Sequence, residues 1–171
     1  TGAKCLYGNV LPKSGSFSAV CEFELPVGQQ NGPIFGQTQT NSESWQVILN
    51  NQNIELQLRF PVPAYSGTIF MQTWQLSPAS FSSSCRVGIS LSGSSVSWCV
   101  SSKDVLQSGS IESPKAPGLR ANTWLGAGAV MGASKVQTYS DGMVFKNLEV
   151  WDSNLSTIDL GIVTKIPFPR F

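Results

Sequence analysis

Two neighbouring carboxylates, four thiols and five indoles carry whatever chemistry this sequence of 171 residues can do. Glu22 and Glu24 lie two apart in Phe17-Ser18-Ala19-Val20-Cys21-Glu22-Phe23-Glu24-Leu25, where odd positions are apolar or thiol. On a strand both would face one side, at nearly the ~5–5.5 Å separation that retaining glycosidases place across a cleft. No further cluster of acids accompanies them, so they read as solvated carboxylates that keep a strand soluble. Histidine is absent, which excludes Ser-His-Asp and Cys-His hydrolysis and zinc sites with imidazole ligands. Gly126-Ala127-Gly128 with Gly132 lacks the lysine-serine signature and following helix of a phosphate loop. No catalytic residue, metal or cofactor is expected.

Cys5, Cys21, Cys85 and Cys99 form no C-x-x-C pair, so zinc ribbons and thioredoxin-type motifs are unsupported. An even count on a serine-rich chain predicts two disulfides and an oxidising compartment. The alternative is buried free thiols in an intracellular or viral protein. Three connectivities are open from the sequence alone. Asn154-Leu155-Ser156 is an N-glycosylation sequon just beyond a predicted strand. Among the tryptophans, Trp74 lies in an irregular segment with Tyr65 and Phe70. These three are the candidate aromatic patch for a partner; the competing reading is packing.

Charged residues make up 12% of the chain and net charge is +1. The surface must therefore be built from Ser, Thr, Asn, Gln and Gly, hydrogen-bonding rather than ionic. No basic run marks a nucleic-acid binder. No apolar run approaches the roughly 20 residues that span a bilayer, and no signal peptide is evident, so the sequence reads as a mature form or an excised piece.

The elements that must position these residues follow a period of two. Trp45, Val47 and Leu49 alternate with Gln46 and Ile48, Asn50-Asn51-Gln52 reads as a turn, and Ile54, Leu56 and Leu58 alternate with Glu55, Gln57 and Arg59, which predicts a hairpin. Cys85, Val87, Ile89 and Leu91, then Ser92-Gly93-Ser94, then Val96, Trp98 and Val100 predict another. Pro61-Val62-Pro63 confines the next segment to an edge or a loop. Residues 107–120 read as a loop with at most a short strand, Trp124-Leu125-Gly126 as a short strand, and residues 142–151 as a strand with apolar Val144, Leu148 and Val150. No helical periodicity exceeds about a turn. The pattern predicts an all-β fold, a two-sheet antiparallel β-sandwich of about ten strands, as a single domain over residues 1–171.

Several of these segments, in order, resemble the pentraxin and laminin-G group of concanavalin A-like jelly rolls. Phe17–Phe23 is similar to the pentraxin strand with the first paired cysteine. Cys85-Arg86-Val87-Gly88-Ile89-Ser90-Leu91-Ser92-Gly93 and Val96-Ser97-Trp98 are similar to the strand with the second, its turn and the aromatic strand beyond. Leu125-Gly126 matches the family's Leu-Gly pair, and Asp141–Asp152 with Leu155-Ser156 its closing pattern. The resemblance implies a Cys21–Cys85 bridge, with Cys5 and Cys99 as the remaining pair, and makes Trp98 and Trp151 packing residues. Pentraxin calcium ligands cluster after the Leu-Gly pair, where this chain has Ala127-Gly128-Ala129-Val130-Met131, and in a region matching Asn41-Ser42-Glu43-Ser44, which has one carboxylate. Calcium takes about six to eight oxygens, so no pentraxin-type calcium site is expected.

The resemblance implies an extracellular recognition or adhesion module that binds a protein or cell-surface ligand without calcium, part of a receptor or a secreted protein. A carbohydrate-binding domain, including a viral attachment head, is the alternative. An enzyme is not expected. Nothing in the sequence specifies an oligomeric state.

Overall fold

The computed structural model describes residues 6–8, 11–12, 15–24, 31–37, 44–61, 69–78, 84–102, 105–117, 123–125, 127–129, 137–139 and 143–165. Within them the chain forms β1 (Leu6–Gly8), β2 (Phe17–Glu24), β3 (Gly32–Gln37), β4 (Ser44–Asn50), β5 (Asn53–Pro61), β6 (Ile69–Pro78) and β7 (Ser84–Ser92). There follow β8 (Ser95–Ser102), β9 (Val105–Glu112), β10 (Thr123–Leu125), β11 (Ala127–Ala129), β12 (Gln137–Tyr139), β13 (Val144–Trp151) and one helix, α1 (Thr157–Lys165). A six-stranded sheet runs β1-β10-β3-β4-β5-β6, a five-stranded sheet runs β13-β2-β7-β8-β9, and β11 pairs with β12. All pairings are antiparallel. The fold is the all-β sandwich that the alternation predicts.

Period-two patterning explains the core. Phe17, Ala19, Cys21 and Phe23 of β2 and Val87, Ile89 and Leu91 of β7 pack against Trp45, Val47 and Leu49 of β4 and Ile54, Leu56 and Leu58 of β5. Trp45 bridges the two sheets: its ring centroid lies 6.0 Å from that of Phe17 and 5.6 Å, edge-on, from that of Phe35. Its Nε1 donates to Gln37 Oε1 at 2.9 Å, so the buried indole leaves no orphan donor. The β4–β5 turn holds Asn51 and Gln52 at φ of 45° and 64°, the left-handed pair that a two-residue hairpin demands. β6 closes the six-stranded sheet as an edge strand, as the Pro61-Val62-Pro63 break predicts.

Three expectations need correction. The tail forms α1, a helix where no helical periodicity was legible: Thr157-Ile158-Asp159-Leu160-Gly161-Ile162-Val163 is rich in β-branched residues and contains a glycine. Its local signal is a capping box. The Asp159 amide donates to Ser156 Oγ at 3.1 Å, and that hydroxyl donates to Asp159 Oδ2 at 2.7 Å. Residues 107–112, within the stretch expected as loop with at most a short strand, belong to β9, which pairs along β8 and sets Gly109 opposite Trp98, where a Cβ would fall 3.0 Å from the indole ring. Val144 is exposed rather than core, because a bulge between Phe145 and Asn147 changes the parity of β13 and turns Phe145 inward with Leu148 and Val150.

Candidate ligand-binding face

The two outer faces of the sandwich differ. α1 lies on the five-stranded sheet, where Leu160 packs with Val20 and Cys99 beneath Trp151, Leu155 and Val163. The approach is close at Gly88 of β7: a Cβ there would fall 2.5 Å from Thr164 Oγ1 and 2.9 Å from Leu160 Cδ1. Ser18 fixes the segment leading into the helix. Its Oγ accepts from the Leu155 amide at 2.8 Å and lies 2.8 Å from the Ser153 carbonyl and 2.9 Å from Ser90 Oγ. Glu22 and Glu24 are on this face and serve separate ion pairs, Glu22 with Arg86 at 3.3 Å and Glu24 with Lys146 at 3.3 Å. Glu149, beside them, has its carboxyl pushed up by burial and partly drawn back by Arg86. These carboxylates hold strands and helix together and do not face each other across a cleft.

The outer face of the six-stranded sheet carries a row of amides and hydroxyls. Because Trp45, Val47, Leu56 and Leu58 point to the core, the residues between them point outward. Gln46 Nε2 donates to Gln57 Oε1 at 2.8 Å, Asn50 Nδ2 to Glu55 Oε1 at 3.1 Å, and Gln75 Nε2 to Asn53 Oδ1 at 3.2 Å. Thr73 and Gln75 of β6 are exposed, and so are Asn51 and Gln52 at the turn. At the far end of the face Ser44, Gln46, Gln57 and Arg59 are buried. The face therefore grades from solvent at the β4–β5 turn to a closed polar end at Ser44 and Arg59. Gly36 on β3 makes this possible beside Gln46, since a Cβ there would collide with the Trp45 carbonyl at 2.5 Å and Gln46 Cα at 2.6 Å.

Of the sequence-derived candidates, Trp74 stands opposite Leu56 and packs, half-buried, against the core rather than forming a free platform. Phe70 contributes backbone opposite Phe60, with its side chain outside the described residues, and Tyr65 lies outside them altogether. Trp98 and Trp151 pack, against the main core and beneath α1 respectively. Asn154 is exposed between β13 and α1. Ala127, Gly128 and Ala129 form β11, whereas Asn41, Ser42, Glu43, Val130 and Met131 lie outside the described residues. No group of three or more His, Cys, Asp or Glu gathers among the described residues.

The cysteine pairing is corrected. Cys21 and Cys85 are free, buried thiols on neighbouring strands. The register sets Cys21 opposite Val87 and Cys85 opposite Phe23, a diagonal whose α-carbons sit about 7–8 Å apart in a regular ladder, beyond the ~4.4–6.8 Å a disulfide spans. Burial raises both thiols well above the ordinary range, with Cys85 and Glu22 adding to the effect at Cys21. Cys99 is also free and points the other way, under α1, its thiol raised by burial and partly lowered by the Thr164 hydroxyl. Cys5, and with it the expected pairing to Cys99, lies outside the described residues.

What sequence reasoning missed is the outward-facing row itself. In the sequence its residues, Arg59 among them, are only the positions that alternate with the apolar ones.

No family model and no curated protein sequence matches the chain. Solved structures do share its fold. Domains LG4-5 of the mouse laminin alpha1 chain superpose with a TM-score of 0.59 at 11% identity, over 92% of this chain and 41% of theirs. The CBM40 of a Ruminococcus gnavus IT-sialidase, bound to alpha2,3 sialyllactose, superposes with a TM-score of 0.56 at 12% identity, over 89% of this chain and 83% of that one. The botulinum neurotoxin serotype D binding domain gives 0.56 at 12% identity, over 95% and 46%. This chain thus spans under half of the laminin and toxin fragments. The shared feature is the architecture, a two-sheet antiparallel sandwich like those of the laminin-G and CBM40 domains. No helix among the described residues is long and apolar enough to cross a membrane.

Proposed function

We propose that this chain is a non-catalytic recognition module that engages a cell-surface ligand, without calcium, through the outer face of the six-stranded sheet. The carrying observation is the row formed by Asn50–Glu55 and Asn53–Gln75, with exposed Asn51, Gln52 and Thr73 beside it, hydrogen-bonding groups on the sheet face opposite the one α1 covers. Amides and hydroxyls at strand spacing offer donors and acceptors in fixed directions, which suits the hydroxyls of an oligosaccharide. A sugar ligand agrees with the sialyllactose held by a CBM40 of the same fold. Secretion, with glycan on exposed Asn154, belongs to the same reading.

A protein ligand is the second reading, favoured by Ile158 and Ile162 of α1, which are 77% and 52% exposed one helical turn apart. Both readings are tested by glycan-array and cell-binding assays on two surface variants. Thr73→Arg with Gln75→Arg blocks the amide row, and Ile158→Lys with Ile162→Lys blocks the helix. Loss of binding with the first pair alone supports the sheet face. Loss with the second pair alone transfers the function to α1 and a protein partner.

A further inference from the structure

Asn31-Gly32 is the one Asn-Gly step of the sequence, and the fold sets it immediately before β3, against the β4–β5 turn. Asn31 is exposed. Gly32 opens β3 opposite Leu49 with a φ of 148°, a conformation open to glycine and strained for any residue with a Cβ. The backbone geometry therefore keeps a glycine after Asn31, and no Cβ shields the Gly32 nitrogen.

The side-chain amide of Asn31 is held too. Its Oδ1 accepts from the Asn51 backbone amide at 2.9 Å. The turn fixes that donor, with Asn51 and Gln52 at φ of 45° and 64°. A donor already aimed at Oδ1 polarises the carbonyl and strengthens as negative charge develops on the oxygen. The nucleophile within reach of Cγ is the Gly32 nitrogen, which closes a five-membered ring through Asn31's own backbone; such intramolecular attack needs no second molecule. Asn51 and Asn154 are also exposed, but Gln52 and Leu155 follow them, and a Cβ there crowds the same attack.

We propose that Asn31 is a site of spontaneous deamidation, in which the Gly32 nitrogen attacks Asn31 Cγ and the Asn51 amide stabilises the oxyanion at Oδ1. The Gly32 amide gives its proton to solvent base as the N–Cγ bond forms. The Cγ–Nδ2 bond then breaks, and Nδ2 leaves as ammonia with a proton from water. Water opens the resulting succinimide at Cγ to give aspartate, or at the main-chain carbonyl to give isoaspartate. One water is consumed and one ammonia released, with no redox change. Aspartate keeps an acceptor for the Asn51 amide and lowers the net charge from +1 to zero. Isoaspartate lengthens the main chain by one carbon just before the Gly32–Leu49 pair and should fray the start of β3.

The test is ageing of folded, unglycosylated protein in mildly alkaline heavy-oxygen water, followed by peptide mapping and isoelectric focusing. The comparators are Asn31→Gln, Asn31→Asp, the urea-unfolded chain, and protein in which a backbone ester replaces the Asn51 amide. Wild type should gain an acidic species with heavy oxygen at residue 31, focusing with Asn31→Asp, while Asn51 and Asn154 stay intact. Asn31→Gln should not form it. The ester, which removes the donor to Oδ1, should slow conversion several-fold in protein whose circular dichroism matches wild type. Folded wild type that stays intact at residue 31 while the urea-unfolded chain converts would overturn the proposal, because the fold would then shield the Gly32 nitrogen. Conversion of Asn51 or Asn154 at the rate of Asn31 would overturn the assignment to this site. A folded ester protein that converts as fast as wild type would overturn the role of the Asn51 amide.

Discussion

Arg86 on β7 lies directly across from Glu22 on β2, and its Nε meets Glu22 Oε2 at 3.3 Å. The same guanidinium donates from Nη1 to the carbonyls of Thr164 at 3.3 Å and Lys165 at 3.0 Å, the end of α1. One side chain thus joins two strands and satisfies carbonyls that a helix terminus leaves without intrahelical partners. Replacing it with methionine should cost about 1–3 kcal/mol, the range for losing hydrogen bonds to a charged group and stranding their acceptors. Urea unfolding measures the loss. Faster amide exchange confined at first to α1 would show that the helix is the part released.

Glu149 gives this cluster a pH signature. Its folded carboxyl is raised above the unfolded value, by burial first and against the pull of Arg86. The folded state therefore binds the proton more tightly than the unfolded state, and stability contributed by this group is present at low pH and lost as pH rises through the raised value. Glu149→Gln should remove that loss, leaving the protein at least as stable as wild type at neutral pH. Titration of Glu149 by NMR in Arg86→Met should move further upward, since the opposing charge is gone.

Gly88 should admit no side chain. An alanine Cβ would press on Thr164 and Leu160 at 2.5 and 2.9 Å, and overpacking of this kind costs about 1–3 kcal/mol. Gly88→Val should cost more than Gly88→Ala and expose α1 to proteolysis. An unaltered melting temperature in Gly88→Val would contradict the close helix–sheet contact.

The sequon and the helix cap share a residue. Ser156 is both the third position of Asn154-Leu155-Ser156 and the hydroxyl that accepts from the Asp159 amide. Ser156→Ala should destabilise the fold by about 1 kcal/mol through the lost cap, whereas Asn154→Gln, at an exposed position, should leave unglycosylated protein unchanged. Expression through a secretory pathway should then show glycan on wild type and on neither variant.

Buried thiols should be chemically silent. Cys21, Cys85 and Cys99 are enclosed and their thiolates disfavoured, so alkylation of the native protein should be slow at these positions and become complete on unfolding. Non-reducing peptide mapping of the same samples should recover Cys21 and Cys85 as separate, unbridged peptides.

The sandwich was legible because its strands are half-buried and alternate cleanly: Phe17, Ala19, Cys21 and Phe23 fall on one face, and Ile54, Leu56 and Leu58 on another. α1 was not, because its β-branched residues and Gly161 carry little helical signal, and its stability comes from the Ser156 cap, the Arg86 bonds and packing on Gly88. Those partners are remote in sequence. The Cys21–Cys85 spacing said nothing of register, and a diagonal is invisible until the strands are paired. Arg59 shows the same limit. Alternation places it outward, and only the folded protein reveals that outward is not solvent at that end of the sheet.

The most direct measurement of the central claim is backbone NMR of the labelled protein titrated with a bound oligosaccharide taken from an array. Amide shifts concentrated in 44–61 and 69–78, with α1 silent, are the expected result. Shifts concentrated in 157–165 and its supporting strands, with β4 and β5 unmoved, would contradict a ligand-binding face on the six-stranded sheet.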